Sequence, residues 1–225
     1  MIATFVIRTF IWIGCIAALL FVPAGTWRWP AAWVLLALML VFSFGFGAIL
    51  LKHDPALLNE RMKSIIQPEQ KRWDKILLLI TFPLLIVWIV VIALDAARYH
   101  LSAMPLIWQI AGALCVAIAN GVGFLVMLQN SYAAPVVKIQ KERGQRAVDT
   151  GLYAHVRHPM YAGALLFFIG LPLLLGSWYG LLFFPVFTGL FAIRAVLEER
   201  TLIRELDGYA DYATRVRYRL IPGVW

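Results

Sequence analysis

Six apolar stretches limit the possible folds of this chain more than any other feature. They cover residues 4–22, 31–51, 76–94, 106–128, 160–175 and 181–197. The first four approach the ~20 residues that a helix needs to cross ~30 Å of hydrocarbon. Only 14% of the chain is charged and 62% is hydrophobic, whereas a soluble domain of this size needs far more polar surface. We therefore predict an all-α, polytopic membrane helical bundle.

The last two apolar stretches are shorter than the others and are joined by residues 176–180, GSWYG. At ~1.5 Å per residue, the fifth stretch reaches only about 24 Å as a helix. We predict a short C-terminal helical hairpin that crosses a thin part of the bilayer or does not fully cross it. Length alone leaves five or six spans open.

The basic residues favour six spans and indicate an orientation. Seventeen of the 20 lysines and arginines lie in three segments: residues 52–75, 138–157 and 194–219. Six alternating spans place all three on one side, which the positive-inside rule makes cytoplasmic, with both termini. We predict a bacterial-type inner-membrane protein. The formal net charge of +8 then indicates membrane lipids as partners, with no nucleic acid.

The sequence predicts one structural domain with two regions. Residues 1–128 form a four-helix transmembrane region with a cytoplasmic loop at 52–75, in which an amphipathic helix over 56–66 lies at the inner membrane interface. Residues 129–225 form a polar connector, the hairpin and a basic tail. Gly112, Gly121 and Gly123 favour close helix packing over a cofactor loop. The two cysteines lack metal-like or redox-like spacing, so no metal site is predicted.

Polar residues gather where the connector meets the fifth apolar stretch, in the motif RHPMYAG at 157–163. Such residues are costly beside hydrocarbon, which indicates a polar pocket at a membrane face. Pro159 suits a first helical turn, and a helix N-terminus offers free N–H groups to an anionic ligand group. His158 and Tyr161 are three residues apart and share one helix face.

A second polar cluster ends the sixth stretch. Arg194 and Glu198 are four residues apart and can pair on one helix face. Glu198 and Glu199 are adjacent and repel one another unless a cation lies nearby. Arg200, Arg204 or a cationic ligand can supply that charge.

Residues 136–225 resemble the superfamily of isoprenylcysteine carboxyl methyltransferases and phospholipid methyltransferases. The resemblance depends on GLYAHVRHPMYAG at 151–163, the glutamate pair, GYADY at 208–212 and the final RVRYRLIPG. It implies an integral-membrane methyltransferase that uses S-adenosylmethionine, with a cytoplasmic cofactor pocket formed by the connector, the hairpin and the tail. The implied cofactor contacts are Gln140, Gln145, Arg146, Ala147, Val148, Tyr153, His158, Pro159, Met160, Tyr161 and Glu198.

The resemblance also implies a catalytic group and a class of acceptor. Arg194 lies on the acceptor side, and Glu198 and Glu199 can exchange roles beside the cofactor. The acceptor is a lipid-like or isoprenoid-type molecule that carries a carboxylate, an amine or a thiol. Two alternatives stay open: an NADPH-dependent membrane reductase of the sterol-reductase type, which has a similar C-terminal motif, and a non-enzymatic membrane carrier. The oligomeric state is not predicted.

Overall fold

A computed structural model describes residues 1–225, which form nine α-helices and no strand. A π-helical turn, Leu94–Arg98, extends the fourth helix, and two short 3₁₀ turns lie in the connector. Val156 and Tyr218 form an isolated bridge. The helices are α1 (Ile2–Ala24), α2 (Pro30–His53), α3 (Pro55–Arg61), α4 (Arg72–Ala93), α5 (Leu106–Gln129), α6 (Pro159–Leu175), α7 (Trp178–Leu181), α8 (Phe184–Glu205) and α9 (Tyr209–Arg215).

All six apolar stretches lie on helices, with a two-residue turn at 182–183 in the sixth, so the predicted polytopic bundle is confirmed. Five segments are long and apolar enough to cross a membrane: α1, α2, α4 with its π turn, α5, and the α7–α8 segment. α6 is shorter, with 17 residues, and spans about 25 Å at ~1.5 Å per residue. The other arm of the hairpin is longer than predicted, because α8 continues through polar residues to Glu205.

The hairpin arm α6 packs tightly on α5, where glycines let the two backbones touch. A Cβ atom built on Gly112 would lie 2.2 Å from the backbone nitrogen of Leu174, and one on Gly170 would lie 2.9 Å from the carbonyl oxygen of Gly112. Small residues allow this close approach between helices in membranes. The predicted role in helix packing is therefore confirmed for Gly112. It is wrong for Gly121 and Gly123, where a built Cβ meets no atom within 4 Å.

We expect Gly112→Ala to destabilise the bundle by about 1–3 kcal/mol, because rigid backbone surrounds the added methyl group. Gly121→Ala is the matched control on the same helix. It adds a methyl group in open space and removes a helix-interior glycine, so it is expected to leave stability unchanged or raise it by up to about 1 kcal/mol. Thermal unfolding in detergent measures both variants. Equal melting temperatures for the two would contradict the packing role of Gly112.

The polar loop between α2 and α4 folds onto the protein. The predicted amphipathic helix over 56–66 is wrong in length, since α3 ends at Arg61. Leu57 and Leu58 are buried, and they pack with Leu50 in a small apolar cluster. The apolar side of α3 therefore faces protein, whereas Ile66 lies beyond the helix and is exposed.

The loop, the connector and the tail meet at one end of the bundle, which we call the basic end. The Arg61 guanidinium donates to the Ala133 carbonyl at 2.8 Å, and the Lys71 ammonium lies 2.7 Å from the Glu205 carboxylate. At the opposite end, the buried Asp95 carboxylate accepts hydrogen bonds from the hydroxyls of Ser102 and Ser177, which holds the hairpin turn. The two ends thus have separate polar networks, and the predicted site residues lie at the basic end.

Candidate active site

A pocket at the basic end lies between the connector, the start of α6, the end of α8 and the helix α9. Its lining comprises 22 residues, of which 14 are hydrophobic. The structure brings together ten residues that sequence analysis assigned to a cofactor site. These are Gln145, Arg146, Ala147, Val148, Tyr153, His158, Pro159, Met160, Tyr161 and Glu198. Gln140, Arg194 and Glu199 lie outside the lining.

The first turn of α6 forms one wall of the pocket. His158 stands at the N-cap position without a side-chain capping hydrogen bond, and Pro159 begins the helix, as the motif predicts. The sequence predicts several free N–H groups at this helix start. Two of the backbone N–H groups here instead donate to carbonyl oxygens of the tail. The Arg157 and His158 amides donate to the carbonyls of Tyr218 and Arg219, each at 2.9 Å. The Met160 amide has no backbone partner, so it is the N–H group of this turn that is left for a ligand.

The Glu198 carboxylate is the acidic group that faces the pocket. The Tyr161 hydroxyl donates to its Oε2 atom at 2.5 Å, and Nδ1 of His158 lies 3.9 Å from the same oxygen. The rings of His158 and Tyr161 are parallel, with centroids 5.3 Å apart. The Glu198 side chain is 23% exposed. A carboxylate held by a neutral hydroxyl and left partly open is suited to bind a cationic ligand group.

Glu199 instead joins a buried ion-pair cluster behind the pocket. Its carboxylate accepts from Nε of Arg157 at 2.7 Å, from Nε of Arg219 at 2.8 Å, and lies 3.2 Å from Nε2 of His158. Arg157 also donates to two tail carbonyls. The prediction of Arg200 or Arg204 as the compensating cation is therefore wrong, because folding brings Arg157 and Arg219 to the carboxylate. The cluster fastens the tail to the start of α6.

Arg194 forms no ion pair with Glu198, so the predicted pairing along α8 is wrong. Its Nε atom donates to Oδ1 of Asp74 at 2.8 Å, and Nη2 donates to the carbonyl of Pro135 at 3.0 Å. Asp74 is fully buried and also accepts from the Val137 amide at 2.9 Å. A buried carboxylate requires such compensation. This pair fixes the connector segment that lines the pocket.

Gln140, predicted to contact the cofactor, is buried inside the connector. Its side-chain amide donates to the Tyr132 carbonyl at 2.9 Å and accepts from Arg143 at 2.6 Å. Lys138 lines the pocket instead, and its ammonium pairs with the carboxylate of Glu60 in α3. Burial by itself raises the pKa of Glu60, but hydrogen bonds from Lys138 and Lys63 outweigh it and hold the pKa below its usual range. This ion pair ties the loop to the pocket wall.

Tyrosines from both the connector and the tail line the pocket. Burial raises the pKa of Tyr153 to about 12, and Nδ2 of Asn130 donates to its hydroxyl at 2.9 Å. Burial also raises the pKa of Tyr212, whose hydroxyl donates to the carbonyl of Tyr153 at 2.8 Å. Both phenols therefore keep their protons at neutral pH. No group of three or more His, Cys, Asp or Glu side chains is placed to hold a metal ion.

Sequence reasoning missed several pocket residues and the groups that position them. Asp74 carried a usable signal, since it is a lone acidic residue among basic ones at the start of an apolar stretch. Apart from the GYADY motif, no sequence signal marked the residues of the tail that line the pocket, because their role depends on how the tail folds back. The missed lining residues include Asn130, Tyr132, Lys138, Leu202, Leu206, Tyr209 and Tyr212.

Comparison with known proteins supports the resemblance found in the sequence. Residues 107–207 match the phospholipid methyltransferase family. A segment of 83 residues is 34% identical to the protein-S-isoprenylcysteine O-methyltransferase of Schizosaccharomyces pombe. This match covers 36% of the chain and 35% of the relative, about a third of each. The predicted resemblance to the isoprenylcysteine and phospholipid methyltransferase superfamily is thereby confirmed.

Proposed function

We propose that this chain, a relative of the phospholipid and isoprenylcysteine methyltransferases, is an integral-membrane methyltransferase that uses S-adenosylmethionine. The observation that carries the proposal is the Glu198 carboxylate. It faces a pocket lined by His158 and Tyr161, within the segment that matches the family. The acceptor is a lipid-like or isoprenoid-type molecule with one polar end, because the pocket lies at the end of an apolar bundle.

The residues of the pocket fit the chemistry of this methyl donor. The Glu198 carboxylate suits the sulfonium or ammonium group, since opposite charges attract strongly where water is partly excluded. The Met160 amide, at the N-terminus of α6, suits the carboxylate of the donor. When bound, the donor supplies an activated methyl group for direct displacement at carbon. Holding the two reactants in line then provides much of the rate.

Which catalytic groups the protein must supply depends on the chemical group of the acceptor. A carboxylate or thiolate acceptor needs no proton removed, so positioning suffices. An amine acceptor needs a base, and the candidates in the lining are Glu198 on α8 and His158 at the start of α6. Arg194 is proposed to serve the acceptor side, although its Nε and Nη2 atoms are engaged with Asp74 and Pro135. Neither hydrogen bond of Arg194 uses its Nη1 atom, which is the nitrogen proposed to meet an anionic acceptor.

We further propose that the basic end faces the cytoplasm. Seventeen of the 20 lysines and arginines lie in the three segments that meet there, and the positive-inside rule places such segments inside. S-adenosylmethionine then reaches the pocket from the cytosol, while the acceptor arrives from the membrane.

Transfer of a labelled methyl group tests the proposal. The purified protein in lipid nanodiscs is incubated with methyl-labelled S-adenosylmethionine and total membrane extract, and the labelled product is identified. We expect a labelled lipid-soluble product and competition by S-adenosylhomocysteine but not by NADPH. A folded protein that binds neither S-adenosylmethionine nor S-adenosylhomocysteine would contradict the proposal. Displacement by NADPH would indicate a reductase instead.

A further inference from the structure

Tyr209, in the first turn of α9, has a buried hydroxyl that nothing in the protein satisfies. The residue is 5% exposed and lines the pocket. Its hydroxyl is sealed from solvent and has no hydrogen-bond partner. Buried polar groups are nearly always hydrogen-bonded, and an unsatisfied one lowers stability. A hydroxyl kept in this state beside a binding pocket therefore points to a partner that arrives with the ligand.

The hydroxyl of the neighbouring Tyr212, in contrast, has a hydrogen-bond partner within the protein. The two rings meet edge to face, with centroids 5.3 Å apart. The Tyr212 hydroxyl donates to the carbonyl of Tyr153 at 2.8 Å, which joins α9 to the connector. The same short helix thus carries one hydroxyl with a structural partner and one without.

The surroundings of Tyr209 indicate which part of a ligand it meets. Tyr209 belongs to an apolar cluster with Leu206, Tyr212 and Val216, against which Ala147 and Leu202 pack. The charged lining at Glu198 lies on α8, and His158 lies on the α6 wall. The pocket therefore has an apolar wall at Tyr209, whose hydroxyl lacks a partner, and charged lining from α6 and α8 close to that wall.

S-adenosylmethionine also has one charged part and one less polar part. Its amino-acid half carries the charges, whereas its nucleoside half is a flat base with ring-nitrogen acceptors and a ribose with hydroxyl groups. Burial, together with the nearby Glu199 and Glu198 carboxylates, raises the pKa of Tyr209. The phenol hence keeps its proton and acts as a donor at neutral pH.

We propose that the Tyr209 hydroxyl donates a hydrogen bond to the nucleoside half of the bound methyl donor. This inference rests on the proposed function, since it requires that the donor binds in this pocket. It makes Tyr209 a binding residue that fixes the nucleoside against the apolar wall, while Glu198 meets the charged half.

Tyr209→Phe removes only the hydroxyl and keeps the ring in the apolar cluster. We expect the affinity for S-adenosylhomocysteine, measured by calorimetry in detergent, to fall about 3- to 10-fold, as for the loss of one neutral hydrogen bond. The melting temperature without ligand is expected to stay the same or rise, because the variant loses an unsatisfied polar group. The control Tyr212→Phe should lower the melting temperature, because it leaves the Tyr153 carbonyl without its donor.

A second ligand locates the contact. 5′-Methylthioadenosine lacks the amino-acid half, so its competition against labelled S-adenosylhomocysteine should weaken by a similar factor in Tyr209→Phe. Unchanged affinity for both ligands, a loss confined to S-adenosylhomocysteine, or no competition by 5′-methylthioadenosine in the wild type would each overturn the inference. A lower melting temperature of Tyr209→Phe would assign the hydroxyl to the fold instead. If the folded wild type binds no S-adenosylhomocysteine, the proposed function itself fails.

Discussion

Glu198→Gln is expected to weaken S-adenosylmethionine binding and to lower kcat/KM for methyl transfer by about 30- to 5,000-fold. The estimate corresponds to the roughly 2–5 kcal/mol lost when one partner of a desolvated charge pair is truncated. Glutamine keeps the size of the side chain and can still accept from the Tyr161 hydroxyl, which now lies 2.5 Å from Oε2 of Glu198. The melting temperature should therefore change little. Isothermal calorimetry and labelled methyl transfer measure the two effects.

Glu205→Gln is the matched control for this variant. Glu205 ends the same helix, and its side chain is 39% exposed in an ion pair with Lys71. Exposed pairs of this kind are worth about 0–1 kcal/mol, and the residue does not line the pocket. We expect less than about a fivefold change in donor affinity. Equal losses in both variants, or no loss in Glu198→Gln, would contradict a contact between Glu198 and the donor.

We expect Glu199→Gln mainly to destabilise the protein, lowering the free energy of unfolding by about 3–5 kcal/mol. Breaking a buried ion pair leaves its partner uncompensated, and the Arg157 side chain is only 8% exposed. The variant should melt at a lower temperature in detergent. The tail should also be cleaved sooner in limited proteolysis, since the cluster fastens it to the start of α6. Donor affinity should fall as a consequence, because α9 forms part of the pocket.

Two further variants distinguish this explanation from a general loss of charge. Arg219→Gln should cost less than Glu199→Gln, because the Arg219 side chain is 33% exposed. The double variant Arg157→Met, Glu199→Met removes both buried charges and should be more stable than either single variant. A Glu199→Gln protein that melts with the wild type would show that the cluster does not hold the tail.

Several parts of the site could be predicted from the sequence because they are local. The helix start at Pro159 follows from the missing N–H of proline, and the stacking of His158 and Tyr161 follows from a spacing of three residues on a helix. The expected pairing of Arg194 with Glu198 used the same rule and is wrong. Helix spacing makes a pair possible, but Asp74 offers Arg194 a fully buried carboxylate that has to be compensated.

The sequence by itself determined the helical bundle, the apolar segments and the motif residues that gather at one end. Hydropathy and helix periodicity depend only on residues that are close in sequence, so they can be read along the chain. Only the tertiary structure decided that Glu198 faces the pocket while Glu199 holds the tail, and that Arg194 joins Asp74, 120 positions away. Adjacent glutamates are alike in sequence. Their roles separate because a helix turns them to different sides, and each side meets partners that arrive from distant parts of the chain.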